Sequence, residues 1–409
     1  MSTTPTTPYS YSTLPNGLRS IAQPRKAEVE YFGVAVNAGS RDESDAQAGL
    51  AHFVEHTIFK GTARRRPWHI INRMESVGGE LNAYTTKEET VVYTAFPRGA
   101  LGRAIELVAD LVKSSVFPAK EIDREREVVT DEINSYLDTP ADAIFDDFDE
   151  RAFAGSSMAH NILGTAANIA AFTPQTCRQW LDSRYTPSTM VAFYSGPSPR
   201  RFEALVQSHF GDMDHAPVAP ARVAPAECAR FVETVDKGLH QSHTVAGLRI
   251  PPIDSPLAYP LALAVNILGG PGMNSLLNLE MREKRGLVYS VEATTATYSD
   301  CGLMNVYYGC DREDTHRCAD ILATTLERLP LIVTPRRLQA AKRQFTGQLA
   351  LARQNSENTI TAAARRTLLV GSALTPREIA ARIEAITPDA FALACALLRP
   401  ERLSSLTFT

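Results

Sequence analysis

Apolar and polar positions alternate in two rhythms along the chain, and the order of those rhythms repeats about 210–216 residues later. "YFGVAVNAG" (31–39) is rich in aromatic and β-branched residues and predicts a strand, as does "HTVAGLRI" (243–250). Each is followed by a helical run, "AGLAHFVEHTIFKG" at 48–61 and "AYPLALAVNILGG" at 258–270. Strands "ETVVYTAF" (89–96) and "GLMNVYYG" (302–309) come next, then helices "ALGRAIELVADLV" (100–112) and "THRCADILATTLERL" (315–329). A repeated element order at a steady offset implies an ancient duplication. Each half sets several strands in a row beside two or more helices. The fold class expected is therefore α+β, two similar sandwich domains with helices packed on a mixed sheet.

The rhythm breaks at "GDMDHAPVAPARVAPAECARF" (211–231), where prolines stand among alanines with no period. The boundaries expected are a first domain over 1–215, a linker over 216–232 and a second domain over 233–409. Both domains are of ordinary size.

One further helix carries an informative pattern. In "FPAKEIDREREVVTDEINSYLDTP" (117–140) an apolar stripe runs through Ile122, Val129, Ile133, Tyr136 and Leu137. Glu125 and Glu132 fall on one flank of it, bounded by Val128, while Asp123, Glu127 and Asp131 fall outside. A carboxylate on the core side needs a partner, because burying it alone is costly. Two partners fit: solvent or an arginine at the stripe edge, or a metal with its imidazole ligands.

Composition narrows the function classes. Hydrophobic residues at 44% suffice for an ordinary core, and a net charge of −4 with both signs interspersed gives no nucleic-acid footprint. Six cysteines without a CxxC pair suit a reducing compartment better than a disulfide framework or a thiolate zinc site. The first residues, "MSTTPTTPYSYSTLPNGLRS", hold no apolar run, and no window reaches 18 uncharged apolar residues. The expectation is a cytoplasmic protein without a signal peptide or membrane span.

Candidate chemistry lies in "GLAHFVEHTIFKG" (49–61). His52 and His56 are four apart on a helix, so their imidazoles share a face one turn apart, as a metal requires. Glu55 neighbours that face, where a carboxylate takes a proton from water at a metal. The competing reading is a half-buried helix with hydrogen-bonded polar residues. Glu125 and Glu132 offer a third ligand and tip the balance toward metal. "HQSH" (240–243) is set aside, since positions three apart on a strand face opposite sides. His69, His160, His209, His215 and His316 read as structural or surface residues.

These residues resemble the pitrilysin–insulinase type of inverzincin metallopeptidase, in the short-chain branch that includes mitochondrial processing peptidase and bacterial homologues. That family carries HxxEH followed by a glutamate about 76 residues on, which here is Glu132, with a second acid seven residues earlier, here Glu125. The blocks "TLPNGLR" (13–19), "NAGSRDE" (37–43), "GGELNAYTTKEETVVYTAF" (78–96) and "GGPGMNSLLNLEMREKRGLVYSV" (269–291) extend the likeness over nearly the whole chain. The last block has "NSLLN" where the family usually has "SSRLF".

The resemblance implies one Zn2+ per chain, with His52, His56 and Glu132 as ligands, Glu55 as general base and Glu125 orienting a ligand histidine. It implies that Asn82 and Ala83 lie on an edge where a peptide substrate adds as a strand, and that Arg282 and Tyr289 contact the substrate or the oxyanion. A residue-level alternative for "REKRGLVYSV" is a helix stop at Gly286, with Lys284 and Arg285 complementing the dipole. Family enzymes enclose substrate between four repeats, so two repeats imply a dimer: a homodimer, or a heterodimer with an inactive paralogue. The runner-up function is a non-catalytic assembly subunit. Such members usually lose a zinc ligand, and none is missing here.

Overall fold

A computed structural model of the chain describes residues 9–214 and 221–409. Residues 216–220 of the expected linker, and His215, lie outside the described residues. Two compact units divide it, and each is built on one sheet.

The first sheet comprises β1 (Ser10–Thr13), β2 (Arg19–Pro24), β3 (Val29–Val36), β4 (Glu80–Thr85), β5 (Thr90–Pro97) and β6 (Met190–Gly196). Their spatial order is β1-β2-β6-β3-β5-β4. β2 and β6 pair parallel, the other neighbours antiparallel. Every residue of β6 is buried, which explains why "MVAFYSG" reads as a continuous run rather than an alternation. Phe32, Val34 and Val36 face a core shared with α1 (Leu50–Thr57), α2 (Pro67–Glu75), α3 (Leu101–Ser114) and α4 (Ala119–Leu137). Val91, Val191 and Phe193 face the opposite way. On that face Gly33 leaves room for its neighbours, since a Cβ there would come within 2.4 Å of the Phe193 ring.

The second sheet comprises β7 (Val232–Val235), β8 (Ser242–Ile250), β9 (Val288–Thr297), β10 (Gly302–Cys310) and β11 (Ser404–Phe408), in the order β7-β11-β8-β10-β9. Its one parallel pair is β7 with β11. Strand for strand this is the arrangement β2-β6-β3-β5-β4 of the first sheet, so the duplication inferred from element order is also a duplication of topology. The α+β class stands. One face packs under the helices Ala258–Gly269, Thr315–Ile332 and Pro388–Leu397.

The compact units are not the contiguous stretches 1–215 and 233–409. One unit gathers residues 1–134, 160–223 and 352–377; the other gathers 135–159, 224–351 and 378–409. The physical reason is that a sheet has two faces. The first sheet's second face is covered by Ile360, Ala363, Ala364 and Leu368 of the helix Ser356–Val370. The second sheet's corresponding face is covered by Ala143, Ile144, Phe148 and Ala152 of α5 (Pro140–Ala152). Each half of the chain thus supplies a helix to the other half's sheet.

The stripe on α4 holds at Ile122 and Val129, which are buried, and at Ile133, which packs on the core. It fails at Tyr136 and Leu137, which are exposed, because the chain leaves the first unit after Asn134. Among the described residues no helix is long and apolar enough to cross a membrane.

Candidate metal centre

α1 begins without a side-chain cap at its own N-cap, Gly49, which has φ of +91°. The cap comes from six residues earlier. Glu43, buried, accepts hydrogen bonds from the Gly49 N–H at 2.9 Å and the Ala51 N–H at 2.6 Å. The carboxyl oxygens there satisfy orphan amides at the start of the helix. Burial nevertheless pushes the pKa of Glu43 up to about 8, against the pull of those amides. Leu50, Phe53 and Val54 then fix the helix to the core, which turns His52, Glu55 and His56 toward α4.

α4 is anchored by Ile122 and Val129, and presents Glu125 and Glu132 two turns apart to the histidines. Glu132 Oε2 lies 3.8 Å from His52 Nε2 and 3.4 Å from His56 Nε2. One donor atom from each of these three residues falls within 4.8 Å of the others, and among the described residues they form the group able to hold a metal ion. Asp123, Glu127 and Asp131 are exposed. The imidazole rings stand edge to face with centroids 4.5 Å apart.

Glu125 is buried and reaches His56 Nδ1 with Oε1 at 3.0 Å and Lys60 Nζ with Oε2 at 2.7 Å. Glu55 accepts a hydrogen bond on Oε2 from the Thr85 hydroxyl at 2.9 Å. The electrostatics differ around the site. Burial, aided by the neighbouring His56, pushes His52 down to about 3, so its imidazole is neutral as a metal ligand must be. Burial also acts to lower His56, but hydrogen bonding to Glu125 and the charges of Glu55, Glu132 and Glu125 outweigh it and hold His56 above its ordinary value. For Glu55 burial prevails over Thr85 and His56, and its pKa is raised. Glu125 is held low, because His56 and Lys60 overcome the effect of burial. The Nδ1 atom of His52 is buried without a hydrogen-bond partner among the described residues. Two neutral-capable imidazole nitrogens and one carboxylate oxygen are a donor set that suits zinc.

Asn82 and Ala83 lie on β4, the terminal strand of the first sheet. One edge of β4 pairs with β5, Asn82 opposite Tyr93 and Ala83 opposite Val92; the other edge has no strand partner among the described residues. Arg282 sits in a π-helical turn, Asn278–Glu283, and Tyr289 on β9; the guanidinium stands 5.9 Å from the phenol ring centroid. Tyr289 is 86% exposed. Between them Gly286 has φ of +62° and ends the turn, while Lys284 and Arg285 both pair with Glu280 at 2.6 Å. The "NSLLN" departure runs directly into this turn.

His243 lies on β8 and its Nδ1 is 2.8 Å from the Tyr307 hydroxyl; His240 precedes the strand, so the two are not strand positions as expected. His160 Nε2 lies 3.0 Å from Asp45. Thr85, Lys60 and Glu43 were not anticipated as site residues. Lys60 continues the four-residue spacing of His52 and His56, a signal in plain sight. Thr85 lies in the quoted "NAYTT" block. Glu43 gave none, being separated from its helix by a loop.

Residues 20–166 match the family described as insulinase (peptidase family M16), and residues 171–345 match its peptidase M16 inactive domain. An uncharacterized zinc protease of Streptomyces coelicolor is 30% identical over 391 residues, covering 92% of this chain and 84% of that protein. One from Mycobacterium tuberculosis is 33% identical over 388 residues, covering 92% and 88%. The mitochondrial-processing peptidase subunit beta of Dictyostelium discoideum is 28% identical over 406 residues, covering 95% and 86%. A protease from Helicobacter pylori has the same fold, with a TM-score of 0.89 at 19% identity over 98% of this chain and 99% of that one. The chain belongs to the insulinase (M16) family of peptidases.

Proposed function

We propose that the protein is a zinc-dependent endopeptidase acting on unfolded or short peptides. The observation that carries the reading is the convergence of His52, His56 and Glu132 within 4.8 Å, with the Glu55 carboxylate one position before His56 on the same helix. Zinc in that cradle would supply a Lewis acid for the scissile carbonyl and lower the pKa of water. Glu55 takes a proton from the attacking water and delivers it to the leaving amine. Its raised pKa suits a group that holds a proton between two steps. Thr85 keeps one carboxylate oxygen in place, leaving the other for the proton. Glu125 accepts the His56 Nδ1–H, which directs Nε2 to the metal.

The peptide adds as an extra strand on the free edge of β4 at Asn82 and Ala83, where backbone pairing accepts many sequences. Arg282 and Tyr289, guanidinium and phenol, donate to the substrate backbone or to developing negative charge. They act across a dimer, a homodimer sufficing because both motifs lie in one sequence; pairing with an inactive paralogue is the alternative assembly.

The test is a digest of an unstructured peptide library read by mass spectrometry, with zinc per monomer measured beside it. Glu55→Gln keeps zinc and loses about 10²–10⁴ in turnover, whereas His52→Ala and Glu132→Ala lose zinc as well. Zinc-loaded wild type that cleaves nothing between about pH 6 and 9 overturns the reading.

A further inference from the structure

His52, His56 and Lys60 are spaced four apart, the first two on α1 and the third closing the 3₁₀ turn Ile58–Lys60 that continues it. Glu132 and Glu125 are two turns apart on α4. The two series interlock. Glu132 bridges His52 and His56, and Glu125 bridges His56 and Lys60. Each acid therefore spans two successive rungs of the facing helix, and Lys60 is the last rung.

We infer that Lys60 is a positioning residue of the metal site, acting through Glu125 on His56. The inference rests on the zinc-peptidase reading above. Glu125 has two carboxylate oxygens, and each is committed to one partner: Oε1 to His56 at 3.0 Å, Oε2 to Lys60 at 2.7 Å. The side chain is 7% exposed, so water cannot replace a lost partner freely. With Lys60 in place the carboxylate cannot rotate, Oε1 stays on the His56 Nδ1–H, and the Nε2 lone pair stays on the side facing Glu132. Without it the buried carboxylate keeps a charge with one partner missing, an arrangement that is strongly unfavourable.

The Lys60 ammonium is the cation paired with the buried Glu125 carboxylate at 2.7 Å. An ordinary surface ion pair joins two exposed side chains and contributes little. Here the acid is buried and its other oxygen holds a proposed ligand, so the lysine bears on the metal although it does not touch it. A support of this kind is worth about 10–100-fold in metal affinity.

The experiment is zinc competition against a chromophoric chelator, using the metal-stripped full chain and its melting curve as the check on folding. Lys60→Met weakens zinc by roughly tenfold or more, and Lys60→Arg, which keeps a cation and donors, restores most of that. The double variant Lys60→Met/Glu125→Gln binds zinc as weakly as Glu125→Gln alone, since the lysine acts through the acid. Long-range proton–nitrogen NMR of the metal-free protein finds His56 protonated at Nδ1 in the wild type and as a tautomer mixture in Lys60→Met. If Lys60→Met does not fold, Lys60→Gln carries the same comparison.

Equal zinc affinity in wild type and the folded methionine or glutamine variant overturns the inference, as do additive losses in the double variant. A wild type that binds no zinc instead removes the parent reading. The two failures are therefore distinguishable.

Discussion

The two sheets share one strand order, yet the helices that follow β3 and β8 have opposite characters. α1 carries His52, Glu55 and His56 on the side turned to α4, and its start rests on the buried Glu43 side chain. The helix Ala258–Gly269 carries no histidine, acid or base and buries Leu261, Leu263, Ala264, Val265 and Leu268. Buried apolar positions line the central strands of both sheets. The candidate site is a handful of polar residues on top of that scaffold. It also works against the scaffold, with a buried His52 ring nitrogen that has no hydrogen-bond partner among the described residues and a Glu43 whose pKa burial has raised.

Three measurements sharpen or break this contrast. The largest effect belongs to the purely structural copy: Leu263→Ala, at a fully buried position, should cost about 2–5 kcal/mol in denaturant unfolding and leave zinc stoichiometry unchanged. A loss of zinc in the folded variant would show that the two copies are not separable in this way. Next is His52→Leu, which removes the orphan nitrogen and makes α1 resemble its counterpart. It should abolish zinc binding yet stabilise the metal-free chain by about 1 kcal/mol; destabilisation would mean that His52 has a structural role of its own.

The smallest effect is a slope. Inside the fold Glu43 keeps its proton up to about pH 8, whereas in the unfolded chain it releases it near the ordinary carboxylate value. Its contribution is therefore fully present below that ordinary value and is lost as pH rises toward 8. Glu43→Gln should flatten the fall in stability by about 1 kcal/mol per pH unit between roughly pH 5 and 7. An unchanged slope would mean that the amides at the start of α1 hold Glu43 ionised.

The strands, the repeated order and the HxxEH helix were legible because each is a local pattern with its own period. Glu132 and Glu125 were legible for a related reason: acids on the flank of an apolar stripe are conspicuous, and the family spacing singled them out. The stripe overran at Tyr136 and Leu137, since periodicity does not record where a helix leaves its core. Ownership of helices was also hidden. The apolar faces of α5 and Ser356–Val370 announce that each must be covered, but not by which sheet. The Glu43 cap was invisible because no Ser, Thr, Asp or Asn stands at the N-cap and the acid comes from a separate loop.

The exchange of helices has a consequence for biosynthesis. The first sheet receives its covering helix from Ser356–Val370, whereas its central strand β6 ends at Gly196. A ribosome that has finished β6 has made a sheet with one apolar face open, and that face waits until the helix Ser356–Val370 emerges. Pairings so distant in sequence close slowly, and a nascent chain holding an uncovered sheet is exposed to aggregation meanwhile. The first sheet, which carries the candidate metal site on its other side, is therefore fully covered only once the helix Ser356–Val370 has been made.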